Sequence, residues 1–321
     1  MKSFFTISLD FELFWGMRDV STIKKYGKNI LGGRKAIPKI LDCFQNYHIH
    51  STWAMVGLAT FENRDDLISF FPEIKPKYKN LLMDPYHDLS YLGDDEKSDP
   101  FHFGYSLVKM IQQSGNVELA SHTFSHFYCL ENEIRGAFAS DLKASINSLK
   151  RIGCTPETLV FCRNRYNSEH LIEAKLNGFR FFRGTEISNL YSNHNQNDHN
   201  SLMIRLFRLF DAYVNLTGHH FSIVDKDSSG LINIPSSRFL RPWSSNLMQN
   251  IRLKRILNSM KFAAMNNLGF HLWWHPHNFG ENVTENIFIL NEICNYYKYL
   301  ANEYGMESLT MSEAGRRLNS N

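Results

Sequence analysis

Short apolar runs alternate with longer amphipathic stretches along most of the chain, and this rhythm constrains the fold more than any single residue does. Phe4 to Leu9 reads as a buried strand, and Arg34 to Tyr47 follows with Ile37, Ile40, Leu41 and Phe44 at helical spacing. Further strands are expected at Ser51 to Val56, Asn116 to Ala120, Thr158 to Cys162, Phe179 to Phe182, Leu231 to Ile234, Gly269 to Trp274 and Glu307 to Met311. Helical patterns fall between them: a stretch ending near Gln113, then Asn132 to Ile152, Ser168 to Asn177, Asn246 to Met265 and Glu285 to Tyr304. Gly153 and Gly178 stand just beyond two of these, where a helix stop belongs. Strands alternating with helices imply parallel βαβ units. Seven or eight such units in 321 residues suggest an α/β barrel rather than an open sheet, with long loop insertions, in a single domain over residues 1–321. Insertions are expected near 62–103, which is acidic around Asp94-Asp95-Glu96, and near 188–230, which opens with a stretch rich in Asn, His and Ser.

Composition excludes several function classes. Basic and acidic side chains number 35 and 32 and are interspersed, so no basic arm for nucleic acid is present and any anion binding is local. No run approaches the about 20 apolar residues of a membrane span. The run Phe4 to Leu9 leads directly into Asp10 and Glu12, unlike a secretory leader. The five cysteines, Cys43, Cys129, Cys154, Cys162 and Cys294, are widely spaced and odd in number, as free thiols in a reducing compartment would be. The expected location is therefore the cytoplasm.

Four stretches carry chemistry. Asp10 and Glu12 lie two apart at the end of the first strand, so both carboxylates point to one face. Two close carboxylates need a cation or a proton between them, which fits a metal ligand beside a general base; two unrelated acids at a solvated strand end is the alternative. His122 and His126 follow the third strand at i and i+4, a spacing that brings two ring nitrogens to one side of a helical turn and can chelate one ion. His275 closes the apolar strand that ends in Trp273-Trp274 and suits a general acid, or else packs between aromatics. Phe161 to Asn167 follows another strand and offers Arg163 and Arg165 to orient a carboxylate or hold substrate oxygens. Trp274 and His277 are further candidates for substrate contact. Pro235 to Trp243 carries Arg238 and Arg241 beside aromatics, where they could clamp a diphosphate or simply form a solvated loop.

These stretches, in this order, resemble the motifs of the polysaccharide deacetylase (NodB-homology) family, carbohydrate esterase family four. Thr6 to Glu12 resembles the acidic first motif, Ser51 to Gly57 the strand after it, and His122 to His126 the H-[ST]-x-x-H motif. Phe161 to Asn167 resembles the arginine motif, and Leu272 to His277 the final histidine motif. The S-L-D-F-E start and the W-H-P-H-N-F-G stretch resemble a branch associated with surface-polysaccharide (O-antigen) biosynthesis. The resemblance implies a distorted (β/α), NodB-like barrel and a divalent metal, zinc in many members, held by Glu12, His122 and His126. It implies Asp10 as base, His275 as acid, and Arg163 or Arg165 steering the base. The implied reaction is hydrolysis of an N-acyl, typically N-acetyl, group on an amino sugar, with a nucleotide- or lipid-linked precursor as substrate. A small non-sugar amide, or a sugar-binding protein without activity, are the competing readings. Two departures stand out: Glu12 replaces the usual aspartate, and the stretch Arg163-Asn164-Arg165 stands where a proline is usual, which leaves both arginines open for the steering role.

Overall fold

A computed structural model describes residues 2–186 and 218–318. Within them, ten strands form one sheet in the order β6-β7-β5-β4-β3-β2-β1-β9-β8, with β10 pairing β1 from the side. The central strands are β1 (Phe4–Phe11), β2 (Ser51–Met55), β3 (Val117–Ser121) and β9 (Gly269–Trp274). Five more pairs complete the parallel part of the sheet: β4 (Thr158–Leu159), β5 (Phe181–Phe182), β7 (Ile232–Asn233), β8 (Arg238–Phe239) and β10 (Glu307–Ser308). Only β6 (Asp225–Lys226) runs antiparallel, against β7. The sheet curls. The stretch from β7 to β8 pairs with β5 at its start and with β9 at its end, and Ser236 N and Ser237 N donate to Gly184 O and His271 O. One continuous segment thus joins the two sides of the curled sheet, as the barrel suggested by the strand–helix alternation requires.

Strand alternation sorts the residues of β1. Phe5, Ile7, Leu9 and Phe11 join the main apolar core between the sheet and helices α1 (Ile23–Asn46) and α7 (Val283–Tyr304). The other face looks into the barrel. Phe4 packs there with Ala54, Ala120, Phe181 and Ile232, and the C-terminal helix α8 (Met311–Leu318) closes that end through Met311 and Ala314. Toward the opposite end the inward residues turn polar, and Ser8 Oγ lies 2.8 Å from His271 Nε2. The apolar plug sits at the N-terminal end of the strands and the polar set at the C-terminal end, where barrel sites form.

The remaining helices are α2 (Arg64–Ser69), α3 (Tyr105–Gln113), α4 (Ala137–Arg151), α5 (Ser168–Leu176) and α6 (Asn246–Met265). Helix α4 starts at Ala137 rather than Asn132, because Gly136 sits in the left-handed region at φ 80°. Helix α1 starts eleven residues ahead of the periodic stretch, at Ile23, and contains Gly32 and Gly33. A Cβ on Gly32 would run into the carbonyl of Gly280, so this glycine lets α1 lie backbone to backbone against the turn after β9. Arg238 and Phe239, expected in a loop, pair with β9, and the strand expected over Thr158 to Cys162 ladders only at Thr158–Leu159. The first insertion folds back on the site: Arg18 donates to Met83 O, Trp15 Nε1 to His102 O at 2.9 Å, and Arg34 pairs with Glu96. Most of the second insertion, 187–217, lies outside the described residues.

Candidate active site

Asp10 is buried inside the mouth of the barrel and receives a two-pronged ion pair from Arg183, with Nη1 to Oδ1 and Nη2 to Oδ2 both at 2.7 Å. Burial alone would raise this carboxyl, but Arg183, then His122 and His275, outweigh it and hold Asp10 below its ordinary value. Arg183 is itself fixed by Ser8 Oγ at 3.0 Å, by Asn164 Oδ1 and by the Trp273 ring, 4.2 Å from its guanidinium carbon. The base candidate is therefore ionised and locked in orientation.

Glu12 lies just beyond β1 and is also buried. Its Oε2 is 3.1 Å from His126 Nε2 and 3.6 Å from His122 Nε2, and its Oε1 is 3.7 Å from His275 Nε2 and 3.8 Å from His277 Nε2. Burial raises its carboxyl, but His275, His122 and His126 together bring it well below the ordinary value. Gly16 makes room for this longer side chain, since a Cβ there would collide with the Glu12 carboxylate.

The histidine pair sits on an irregular loop rather than on the expected helical turn. Thr123 and His126 take φ of 64° and 54°, costly for side-chain-bearing residues and steepest for β-branched Thr123. The loop is held in that shape by buried groups. Asp141 accepts from Phe124 N at 2.7 Å and from Ser125 N at 3.1 Å, and Thr123 Oγ1 accepts from Phe127 N at 2.7 Å. His122 Nδ1 is 2.8 Å from Val160 O; a carbonyl only accepts, so Nδ1 carries a proton and Nε2 is the ring atom turned toward Glu12. His126 Nδ1 is buried without a hydrogen bond.

Two Nε2 atoms and a carboxylate oxygen separated by 3.1 and 3.6 Å suit one small cation, because ligands about 2.0–2.1 Å from a tetrahedral zinc lie about 3.4 Å apart. Cys162 belongs to the same cluster, its sulfur within 4.8 Å of ligand atoms on His122 and His126. Burial pushes this thiol up, but the two histidines bring it down to about 5. Glu12, His275 and His277 form a second such group. The donor set therefore fits a divalent metal.

A cavity opens above these residues, lined by Asp10, Glu12, Arg183, Trp273, His275 and Asn278 among others. His275 is a quarter exposed to it, with Nδ1 turned to Asn278 Oδ1 at 3.1 Å and Nε2 3.7 Å from Asp10 Oδ2.

Comparison with known proteins meets this geometry. Residues 27–182 match the family model for polysaccharide deacetylase. The chain is thus similar to the polysaccharide deacetylase family over residues 27–182. Its structure is similar to two proteins provisionally designated polysaccharide deacetylases. The one from Mycobacterium smegmatis has a TM-score of 0.61 at 10% identity, covering 99% of this chain and 91% of that one. The one from Pseudomonas aeruginosa PAO1 has a TM-score of 0.58 at 10% identity, with the same coverage. The Puue allantoinase is similar at a TM-score of 0.58 and 10% identity, again over 99% of this chain and 91% of that one. At such identities the likeness concerns the fold. No curated protein matches the sequence.

The matched span includes His122, His126, Cys162 and Arg163, while Asp10, Glu12, Arg183 and His275 join them only through the fold. Arg163, expected to steer the base, instead pairs with both oxygens of Asp19 at 2.7 and 2.6 Å and lies over Tyr128. Its left-handed backbone, φ 57°, turns the side chain to the cavity rim. Arg165 pairs with Glu131 at 2.6 Å. The guanidinium on Asp10 comes from Arg183, which sequence reasoning missed; the available signal was a charged residue directly after the Phe179 to Phe182 strand. Trp274 is fully buried against Phe44 and Phe279, on the core face of β9; Trp273 lines the cavity instead. Period two counted back from His275 would have chosen it. His277 is buried beside Glu12 and Tyr26. Arg238 and Arg241 line a neighbouring cavity.

Proposed function

We propose that this chain hydrolyses an N-acyl, typically N-acetyl, group from an amino sugar with the help of a divalent metal, and that the sugar is a nucleotide- or lipid-linked precursor of a surface polysaccharide. The observation that carries the reading is the convergence of Asp10, fixed by Arg183, with Glu12, His122, His126 and His275 at one cavity. A divalent cation held by Glu12, His122 and His126, zinc being our expectation, would supply Lewis acidity to the acyl carbonyl and to the attacking water. Asp10 accepts the proton of that water, and the arginine fork keeps its carboxylate aimed and ionised. The oxygen adds to the acyl carbon. His275, protonated on Nε2 and steadied through Nδ1 by Asn278, gives its proton to the sugar nitrogen as the C–N bond breaks. Acetate (or formate) and a free amine result. Trp273 and Phe239 give the sugar an apolar wall.

The test is acetate release from N-acetylated amino sugars by chelator-treated protein before and after zinc is restored. Activity that returns with zinc and falls about 100-fold or more in Asp10→Asn supports the reading, since a positioned base contributes about that much. Acetate release that ignores both zinc and Asp10 overturns it.

A further inference from the structure

The Glu12 carboxylate stands between two pairs of histidines, one pair on each oxygen. Oε2 faces His122 and His126 at 3.6 and 3.1 Å. Oε1 faces His275 Nε2 at 3.7 Å and His277 Nε2 at 3.8 Å. Ligand atoms of Glu12, His275 and His277 all lie within 4.8 Å of one another. These three side chains line the same cavity as Asp10, so an ion can reach them from the substrate side.

The end of β9 sets this second group. His275 follows the strand directly and His277 lies in the turn Pro276–Phe279, and their rings stack with centroids 5.0 Å apart and planes 12° from parallel. Asn278 Oδ1 only accepts, so His275 Nδ1 carries a proton and Nε2 is the atom turned toward Glu12. The buried His277 ring is held edge-on by Tyr26 at 5.4 Å. Two histidines and a carboxylate are a common donor set for zinc. Their spacing is a few tenths wider than the about 3.4 Å between ligands of a tetrahedral zinc, and an ion here would share its carboxylate with the ion on Oε2. Two ions sharing a site in this way lie about 3.5–4 Å apart and repel, so the second binds more weakly than the first.

We propose that Glu12 Oε1, His275 and His277 form a second, weaker divalent-cation site, and that an ion held there blocks the reaction by occupying the nitrogen that delivers the proton. The ion takes the lone pair of His275 Nε2, the proton formerly on that atom passes to water, and none is left there for the sugar nitrogen. The blocking role rests on the deacetylase reading; the site itself does not. Glu12 is thereby shared between an activating and an inhibiting cation, and activity rises with the first equivalent of metal and falls with excess.

Calorimetric titration of zinc into the full-length, chelator-treated protein tests the site, with acetate release from N-acetylated amino sugars followed at each zinc level. Wild type is expected to bind zinc in a tight and a weak phase, with acetate release rising through the first and falling through the second. His277→Gln should weaken the second phase about 10-fold or more and keep the first, while His126→Ala loses the first and keeps the second. Each protein is compared with its own activity at one equivalent of zinc, and the fall at excess zinc should vanish in His277→Gln. Thermal melts show that the variants fold, and His277→Phe, which keeps a ring on the His275 stack, replaces a His277→Gln that does not. A single zinc phase in wild type, or a weak phase unchanged by the loss of His277, overturns the site. A second ion that leaves acetate release unchanged or raises it overturns the blocking role. Two zinc phases in a protein that releases no acetate at any zinc level remove the deacetylase reading and leave the second site standing.

Discussion

At the scale of single residues, Arg183 and Gly16 carry more of the site than their types suggest. Arg183 and Asp10 are both almost fully buried, and removing one partner of such a pair leaves the other charge unmatched. Lysine keeps the charge but loses the fork. Arg183→Lys is expected to lower kcat about 100-fold, the usual consequence of misplacing a reacting group, whereas Arg163→Gln, which loses the pair with Asp19 and the contact with the Tyr128 ring but none with Asp10, stays within about 3-fold of wild type. Equal losses in the two variants would return the steering role to Arg163. Gly16→Ala pushes only the mobile end of Glu12 aside, so it should leave the fold intact while metal content, read by elemental analysis, drops. Full metal content in Gly16→Ala would show that Glu12 is not held as described.

Elements place these residues through close backbone contacts. Helix α1 supplies no candidate metal ligand, yet it positions His275 and His277 by packing on the turn Pro276–Phe279. Gly32→Ala has no soft neighbour to displace, because the obstacle is the Gly280 carbonyl. It is expected to cost about 1–3 kcal/mol of stability and to reduce activity with it, measured by thermal melting and acetate release on one preparation. An unchanged melting point would mean that α1 and the turn are not in contact as described. The C-terminal helix is pinned differently, through His50 Nδ1 and Glu313 Oε2 at 2.8 Å. Glu313 raises His50 above 6.5 chiefly through this hydrogen bond. Burial would raise Glu313, but His50 brings it below 4.5. The His50 contribution is whole below 6.5 and fades as pH rises through its higher folded value; the Glu313 contribution is whole above 4.5 and fades as pH falls through its lower folded value. Both contribute fully between those limits, so His50→Gln should lower the melting point most near pH 5–6 and least near pH 9, by an amount worth about 1 kcal/mol or less. A difference that grows with pH would contradict this pairing.

For the whole molecule, what could be read in advance was what periodicity encodes. Strands β1, β2, β3 and β9 were legible because each is a run of five or more residues with a clear apolar face. The two-residue strands β6 and β8 were not, because such short pairs are chosen by their partners rather than by their own sequence. In the site, Asp10, Glu12, His122, His126 and His275 were legible as chemistry-bearing types at strand ends. Arg183 was hidden because its link to Asp10 spans 173 positions and depends on how the sheet curls. The irregular backbone at Thr123 and His126 was hidden too, since the i, i+4 spacing imitates a helix while buried Asp141 holds a loop. Cys162 read as one of five widely spaced free thiols until the fold set it beside both histidines.

Elemental analysis of purified wild type beside His126→Ala tests the central claim most directly, after zinc is supplied and the excess removed. The account predicts about one divalent ion per chain in wild type and almost none in the variant, with both proteins folded. A wild type that stays empty, or a variant that keeps its ion, would contradict a metal held by Glu12, His122 and His126.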